Sequence, residues 1–303
     1  MTNPFPAEPG TLLTFGHGYS AAALAARLLP AGWRVVGTTR SAERAGALVA
    51  QGVEPLIWDG VSAPPAVRAA IAEATHVLTS AAPVAGLVPG GDPVLAAFRT
   101  DLAAAASHLA WVGYLSTTGV YGDRGGAWVD EDSTLGDAGP RGRARVVAED
   151  AWRALAGGAG LALHVFRLAG IYGPGRGPFA KIRAGTARRI VKPGQVFSRI
   201  HVQDIATVLA ASIARPLPGA YNVCDDEPAP PETVIEHAAH LLGRPPPPAV
   251  DWEKAEMTPM ARSFYAESRR VSNARLRRDL GVTLAYPTYR EGLAAVLAAE
   301  QTS

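Results

Sequence analysis

One cysteine, Cys224, stands in a chain of 303 residues, so no disulfide can form within it and no thiol pair exists to hold a metal. No uninterrupted apolar run of about 18 residues occurs, which argues against a membrane-spanning helix. The opening MTNPFPAEPG has neither a basic start nor an apolar stretch behind it and does not read as a secretory signal. The cytoplasm is the expected address. One-signed charge is also missing: 29 basic against 27 acidic side chains leave a formal net charge of +2. That balance gives no footing for nucleic acid or an anionic membrane, and neither is expected as a partner.

What is present is apolar material, 48% of the chain against 18% charged, enough for a substantial buried core. The first half alternates strand-like and helix-like stretches. Strands are expected at 11–16, 34–39, 53–58, 76–80, 111–116 and 163–170, with helices at 20–32, 41–52, 65–74, 93–108 and 143–155. The strands carry apolar residues on both faces, as a sheet covered on both sides requires. The fold class is α/β, a Rossmann-type doubly wound parallel sheet with a smaller C-terminal substrate-binding lobe. The expected division is 1–170 for the dinucleotide domain, with 200–225 returning to it, and 171–303 mainly for the lobe. There the texture turns to YGPGRGPF, KPGQ, RPLPG and the stiff proline run 245–248. Its clearest helices are 232–243 and 271–281.

Between the first strand and helix lies GHGYSA, comprising Gly16, His17, Gly18, Tyr19, Ser20 and Ala21. Gly16 permits the tight turn, Gly18 lets backbone approach a pyrophosphate, and Ala21 allows helix and strand to pack closely. The helix N-terminus adds positive potential. An NAD site places a carboxylate at the end of the second strand. Here that end reads Thr38, Thr39, Arg40, Ser41. A guanidinium there suits a ribose 2′-phosphate, so NADP(H) is the expected cofactor, with Arg44 in reserve. Asp59 is placed to accept from an adenine amine, or else simply closes its own turn. Ser80, Ala81 and Ala82 after the fourth strand offer small side chains beside a flat ligand, and Ser116 at the end of the fifth joins them.

With YLSTTGVYGD (114–123), FRLAGIYGPGR (166–176), RIHVQDIA (199–206) and AYNVCDDEP (220–228), these motifs resemble the extended short-chain dehydrogenase/reductase family. The resemblance is to its bacterial nucleoside-diphosphate-sugar epimerase-like branch, within the NAD(P)-dependent epimerase/dehydratase-like superfamily. It implies that Thr117 helps hold a substrate oxygen. It also implies a Tyr-x-x-x-Lys pair about two dozen residues on, and counting from Thr117 or back from Glu149 puts Arg141 and Arg145 there instead. A tyrosine can shuttle a proton once a cation lowers its pKa, whereas a guanidinium only donates hydrogen bonds. Arg141 can hold an anion or developing oxyanion, and Arg145 can keep the electrostatic and ribose-binding part of the lysine's role. Tyr121 and Tyr172 are the candidate replacement proton donors, with His201 behind them.

Arg176, Lys181, Arg183, Arg188, Arg189 and Lys192 form either a solvated cationic face or the wall of a site for an anionic small molecule. Asp225, Asp226 and Glu227 stand in one turn and are not expected to converge on a metal; none is predicted. Three functions compete. One is an NADP(H)-dependent oxidoreductase acting on a small carbonyl, imine or sugar-nucleotide-like substrate with a non-standard proton donor. The second is a catalytically silent NADP(H)-binding sensor or scaffold, and the third a nucleoside-diphosphate-sugar epimerase. A homodimer is compatible with all three.

Overall fold

The computed structural model describes residues 8–84, 87, 90–136 and 139–302. In chain order its strands are β1 (Thr11–Phe15), β2 (Arg34–Thr39), β3 (Glu54–Ile57), β4 (His76–Thr79), β5 (Trp111–Thr117), β6 (Trp128–Val129) and β7 (Leu163–Leu168). There follow β8 (Gly170–Tyr172), β9 (Arg189–Val191), β10 (Arg199–His201), β11 (Gly219–Val223), β12 (Ala249–Asp251) and β13 (Arg270–Val271). The helices are α1 (Tyr19–Leu28), α2 (Ala42–Ala50), α3 (Pro65–Glu73), α4 (Pro93–Ala104), α5 (Pro140–Ala159) and α6 (Phe179–Arg183). They continue as α7 (Val202–Ala214), α8 (Pro231–Leu241), α9 (Pro259–Tyr265), α10 (Ala274–Leu280) and α11 (Tyr289–Thr302).

Seven parallel strands form the central sheet in the order β11-β7-β5-β4-β1-β2-β3. Strand side chains alternate between faces, and both faces are covered. Leu12, Val35, Trp111, Leu115, Phe166 and Leu168 enter one core with Leu24 and Leu28 of α1 and Leu209 of α7. Leu13, Phe15, Val36, Val112, Tyr114 and Val165 enter the other with Val67, Leu102 and Trp152 of α3, α4 and α5. This is a Rossmann-like α/β fold. The order reverses between β1 and β4, so a crevice opens at the carboxyl ends of those strands, where such sheets bind ligands.

Beyond the sheet, Tyr172, Phe179, Ile182, Val234, Ala238, Tyr289 and Leu293 make a third core joining α6, α8 and α11. The expected strand 163–170 is two strands. Ala169 donates to Val223 and Gly170 to Ser198, so the chain leaves the sheet there, and β8 pairs with β10. The expected helix 271–281 begins only at Ala274, because Arg270 and Val271 pair with Trp128 and Val129. The proline run lies between α8 and β12, with the Pro247 carbonyl accepting from Arg189 Nε at 2.9 Å.

Candidate active site

The glycine turn sits at the carboxyl end of β1. Gly16 has φ +77°, a left-handed backbone that glycine alone adopts cheaply. Its N–H donates to Thr38 Oγ1 at 2.8 Å, and His17 N donates to the Thr38 carbonyl at 3.0 Å. Gly18 caps α1, and a Cβ there would meet only the Gly16 carbonyl, at 3.9 Å. The turn therefore leaves an open cradle above a helix N-terminus with no acidic residue in its first turn. Backbone amides and a positive helix end suit a pyrophosphate, so the residues present fit a dinucleotide. Ser20 and Ala21 are buried at the start of α1, and the Tyr19 hydroxyl donates to the Pro174 carbonyl at 2.9 Å.

His17 turns inward. Its Nδ1 lies 2.8 Å from Thr14 Oγ1, Nε2 is buried without a partner among the described residues, and burial lowers its pKa to about 4. The ring lies over Gly37, where a Cβ would come within 2.9 Å of it. Ser80 closes the turn from β4, its hydroxyl donating to the Gly16 carbonyl. Ala81 is half-buried and Ala82 exposed along the same crevice.

At the end of β2, Thr39 is half-buried and Arg40 exposed, with no hydrogen bond or ion pair for the Arg40 guanidinium among the described residues. Ser41 caps α2, its side chain accepting from Arg44 N at 3.3 Å. A helix N-terminus thus follows Arg40 directly, with Arg44, also exposed, in its first turn. Asp59 is exposed, and Oδ1 accepts from Val61 N, Ser62 N and Ser62 Oγ at 2.8–2.9 Å. It closes its own turn, and those hydrogen bonds lower its pKa.

Thr117 ends β5, half-buried, with Oγ1 accepting from Gly119 N at 3.1 Å. Facing it, α5 presents Arg141, Arg145 and Glu149 along one stripe, since residues four apart share a helix face. Arg141 is exposed in the first turn, without a partner among the described residues. Arg145 Nη1 donates to Tyr114 Oη and the Leu115 carbonyl, each at 2.9 Å, and to the Ala81 carbonyl at 3.5 Å, and so ties β5 to the segment that follows β4. Glu149, wholly buried, accepts from Ser116 Oγ at 2.5 Å and from Arg167 Nη2 at 2.9 Å. The Ser116 hydroxyl is thereby turned into the interior and away from the crevice.

Neither tyrosine proposed as a proton donor is available. Tyr121 is wholly buried, donates to Asn222 Oδ1 at 2.7 Å and accepts from Arg167 at 2.8 Å. Burial pushes its pKa up to about 12. Tyr172 packs into the third core, where a Cβ on Gly292 would strike its hydroxyl at 1.9 Å, and burial raises its pKa too. His201 caps α7 through Nδ1, and burial lowers its pKa to about 4. Each is structural because chain position near a strand end does not determine exposure.

Of the cationic residues of 176–192, Arg176 lies over the Tyr19 ring of the glycine turn at 5.9 Å, and four others are engaged elsewhere. Arg183 pairs with Glu300, Arg189 with Glu236, Arg188 donates to the Glu256 carbonyl, and Lys192 to that of Tyr265. Asp226 and Glu227 pair with Arg277 and Arg290. Two residues that the sequence reading missed stand beside the start of α5 and the turn after β5. Glu267 Oε1 accepts from Gly139 N at 2.9 Å, at the foot of α5. Arg269 Nη1 donates to the Gly122 carbonyl at 2.6 Å. No local motif marks either, for both arrive through the pairing of β13 with β6.

The profile of the NAD dependent epimerase/dehydratase family matches residues 11–224. The 3-diazoavenalumate denitrifying reductase of a Streptomyces species is 32% identical over 182 residues, covering 54% of this chain. The match spans 58% of that protein's length. A functionally unknown conserved protein from Silicibacter pomeroyi is 58% identical with a TM-score of 0.88, over 96% of this chain and 99% of that one. The human epimerase family protein SDR39U1, solved with NADPH, is 19% identical with a TM-score of 0.72, over 95% and 99% of the two chains. That last likeness is one of fold. No described helix is long and apolar enough to cross a membrane.

Proposed function

Since the chain belongs to the NAD dependent epimerase/dehydratase family, we propose that it is an NADP(H)-dependent oxidoreductase that reduces a small carbonyl or imine substrate. The observation carrying the cofactor choice is Arg40, exposed and without a partner among the described residues, just before the α2 N-terminus, a setting for a 2′-phosphate. The human neighbour with NADPH is compatible with it. The relative named as a reductase supports reduction as the direction.

When bound, the dinucleotide supplies hydride. The residues of this chain do the rest. Gly16 and Gly18 let backbone close on the pyrophosphate, while Arg40 and Arg44 select the phosphorylated ribose. Arg145, fixed to Tyr114 and Leu115, holds the strand ends in place and leaves Arg141 forward on the same stripe. Thr117 can donate to a substrate oxygen or nitrogen, and Arg141 can stabilise the negative charge that grows there. No side chain of this set is a base fit to take a proton from a sugar hydroxyl, which disfavours epimerisation. Reduction needs only a proton delivered to the product, and water at the open side of Arg141 can deliver it.

Titrating the protein with NADPH and NADH tests the reading. NADPH should bind at least about tenfold tighter, and Arg40→Ala should erase that margin while leaving NADH unchanged, as loss of a charge-assisted contact implies. Equal affinity for the two sinks the NADP assignment. Tight NADPH binding with no turnover across aldehydes, ketones, imines and 2-oxo acids sinks the oxidoreductase and leaves a cofactor sensor.

A further inference from the structure

Arg269 is held in an unusual way for a guanidinium near a ligand crevice. Nη1 donates to both the Gly122 carbonyl at 2.6 Å and Glu267 Oε2 at 2.7 Å. Glu267 is itself fixed, its other oxygen accepting from Gly139 N at 2.9 Å. The side chain is only 16% exposed. Nη2 makes no hydrogen bond among the described residues. It lies 3.9 Å from the point where a Cβ on Gly119 would stand, and Thr117 Oγ1 lies 3.4 Å from that same point. The nearest atom to that point is Thr117 Cγ2, at 3.3 Å, so the space is small, and the Thr117 side chain and the unused guanidinium edge both border it.

We propose that Arg269 is the substrate-specificity residue of this site, its Nη2 edge anchoring a carboxylate on the substrate whose reacting atom meets Thr117. The substrate class is then a carbonyl or imine compound bearing a carboxylate. A guanidinium locked at one nitrogen loses little further freedom when the other binds an anion, so the anchor is preorganised. The carboxylate of Glu267 already neutralises part of the charge, which suits a single oxyanion better than a doubly charged phosphate ester. Arg141, exposed at the first turn of α5, adds positive charge at the end of the helix whose N-cap Gly139 is tied to Glu267. This assignment rests on Thr117 marking the reacting end of the crevice.

Calorimetric titration of the NADP-loaded protein with benzoate, benzamide and phenyl phosphate is the test. Benzoate should bind, and benzamide at least about tenfold more weakly, as expected for a charge-assisted contact replaced by a neutral one. Arg269→Gln should abolish that preference and leave NADP affinity unchanged. Should Arg269→Gln fail to fold, Arg269→Lys can still reach the Gly122 carbonyl but lacks the second nitrogen, and should cut the preference severalfold. Benzoate and benzamide binding alike to the unaltered protein overturns the assignment, as does a preference that survives both substitutions. Phenyl phosphate binding more tightly than benzoate, with that margin lost in Arg269→Gln, overturns the carboxylate in favour of a phosphate ester. A protein that takes up no NADP at all overturns the cofactor reading as well, and that result is read before any aromatic acid is added.

Discussion

Replacing Glu149 by glutamine should destabilise the protein by several kcal/mol without emptying the cofactor site. The carboxylate is wholly buried and meets Arg167, itself 3% exposed, at 2.9 Å. Its second cationic partner, Arg153 at 2.7 Å, is 40% exposed and so contributes little. Glutamine keeps the shape and can still accept from Ser116, but it leaves the Arg167 charge without its counter-ion. Breaking one partner from a buried pair costs about 3–5 kcal/mol. Unfolding entropy of about 2.1 cal/mol/K per residue gives roughly 0.6 kcal/mol/K for this length, so Tm should fall by about 5–8 °C. Thermal unfolding followed by circular dichroism reads the shift, and NADPH titration checks the site. Replacing both partners together, Glu149→Gln with Arg167→Met, should recover at least about half the loss, because no buried charge then stands alone. A single substitution within about 1 °C of the parent would refute the reasoning.

Gly18→Ala should fold normally, since its Cβ meets nothing closer than 3.9 Å, yet weaken NADPH binding at least about tenfold by filling the cradle; unchanged affinity would move the pyrophosphate elsewhere. Thr117→Ala should lower turnover by about 10²-fold with NADPH affinity intact, whereas Tyr121→Phe should lower Tm and leave the rate within about twofold. The reverse pattern in steady-state kinetics would restore Tyr121 as the proton donor. Asp225 is buried with no hydrogen-bond partner for its carboxylate oxygens among the described residues, and burial lifts its pKa to about 8. The folded state thus holds a proton that the unfolded chain releases near pH ~4. The stability this contributes is full below that pH and is lost as pH rises toward 8. Asp225→Asn should flatten the decline in Tm between about pH 5 and 8; an unaltered slope would show that Asp225 is ionised throughout.

The nucleotide half of the site was legible because its determinants are local. A strand, a glycine turn and a helix follow one another within 10–28, and the Arg40–Ser41 end of β2 needs only its own neighbours to be read. The catalytic half depends on contacts between distant segments. Tyr121 and Tyr172 follow strand ends as exposed site residues would, but Asn222 and Arg167 draw in the first, and the missing side chain at Gly292 admits the second. Ser116 was placed on the correct strand, with the buried Glu149 that captures it read only as a register mark. Helix α7 is poorly marked by period because nine of its thirteen residues are buried, the polar Asp204 and Ser212 among them. Glu267 and Arg269 carry no local signal, since the pairing of β13 with β6 cannot be inferred from two-residue strands.

The histidine lying on Gly37 ties two positions twenty residues apart into one unit of inheritance. Any side chain at 37 would collide with that ring, so a relative carrying alanine or valine there must have exchanged His17 for something smaller. Such a relative would also release the Thr14 hydroxyl from the ring and loosen the underside of the phosphate loop. Across divergent members the two positions should therefore vary together, which gives a way to sort this branch from others by reading two letters.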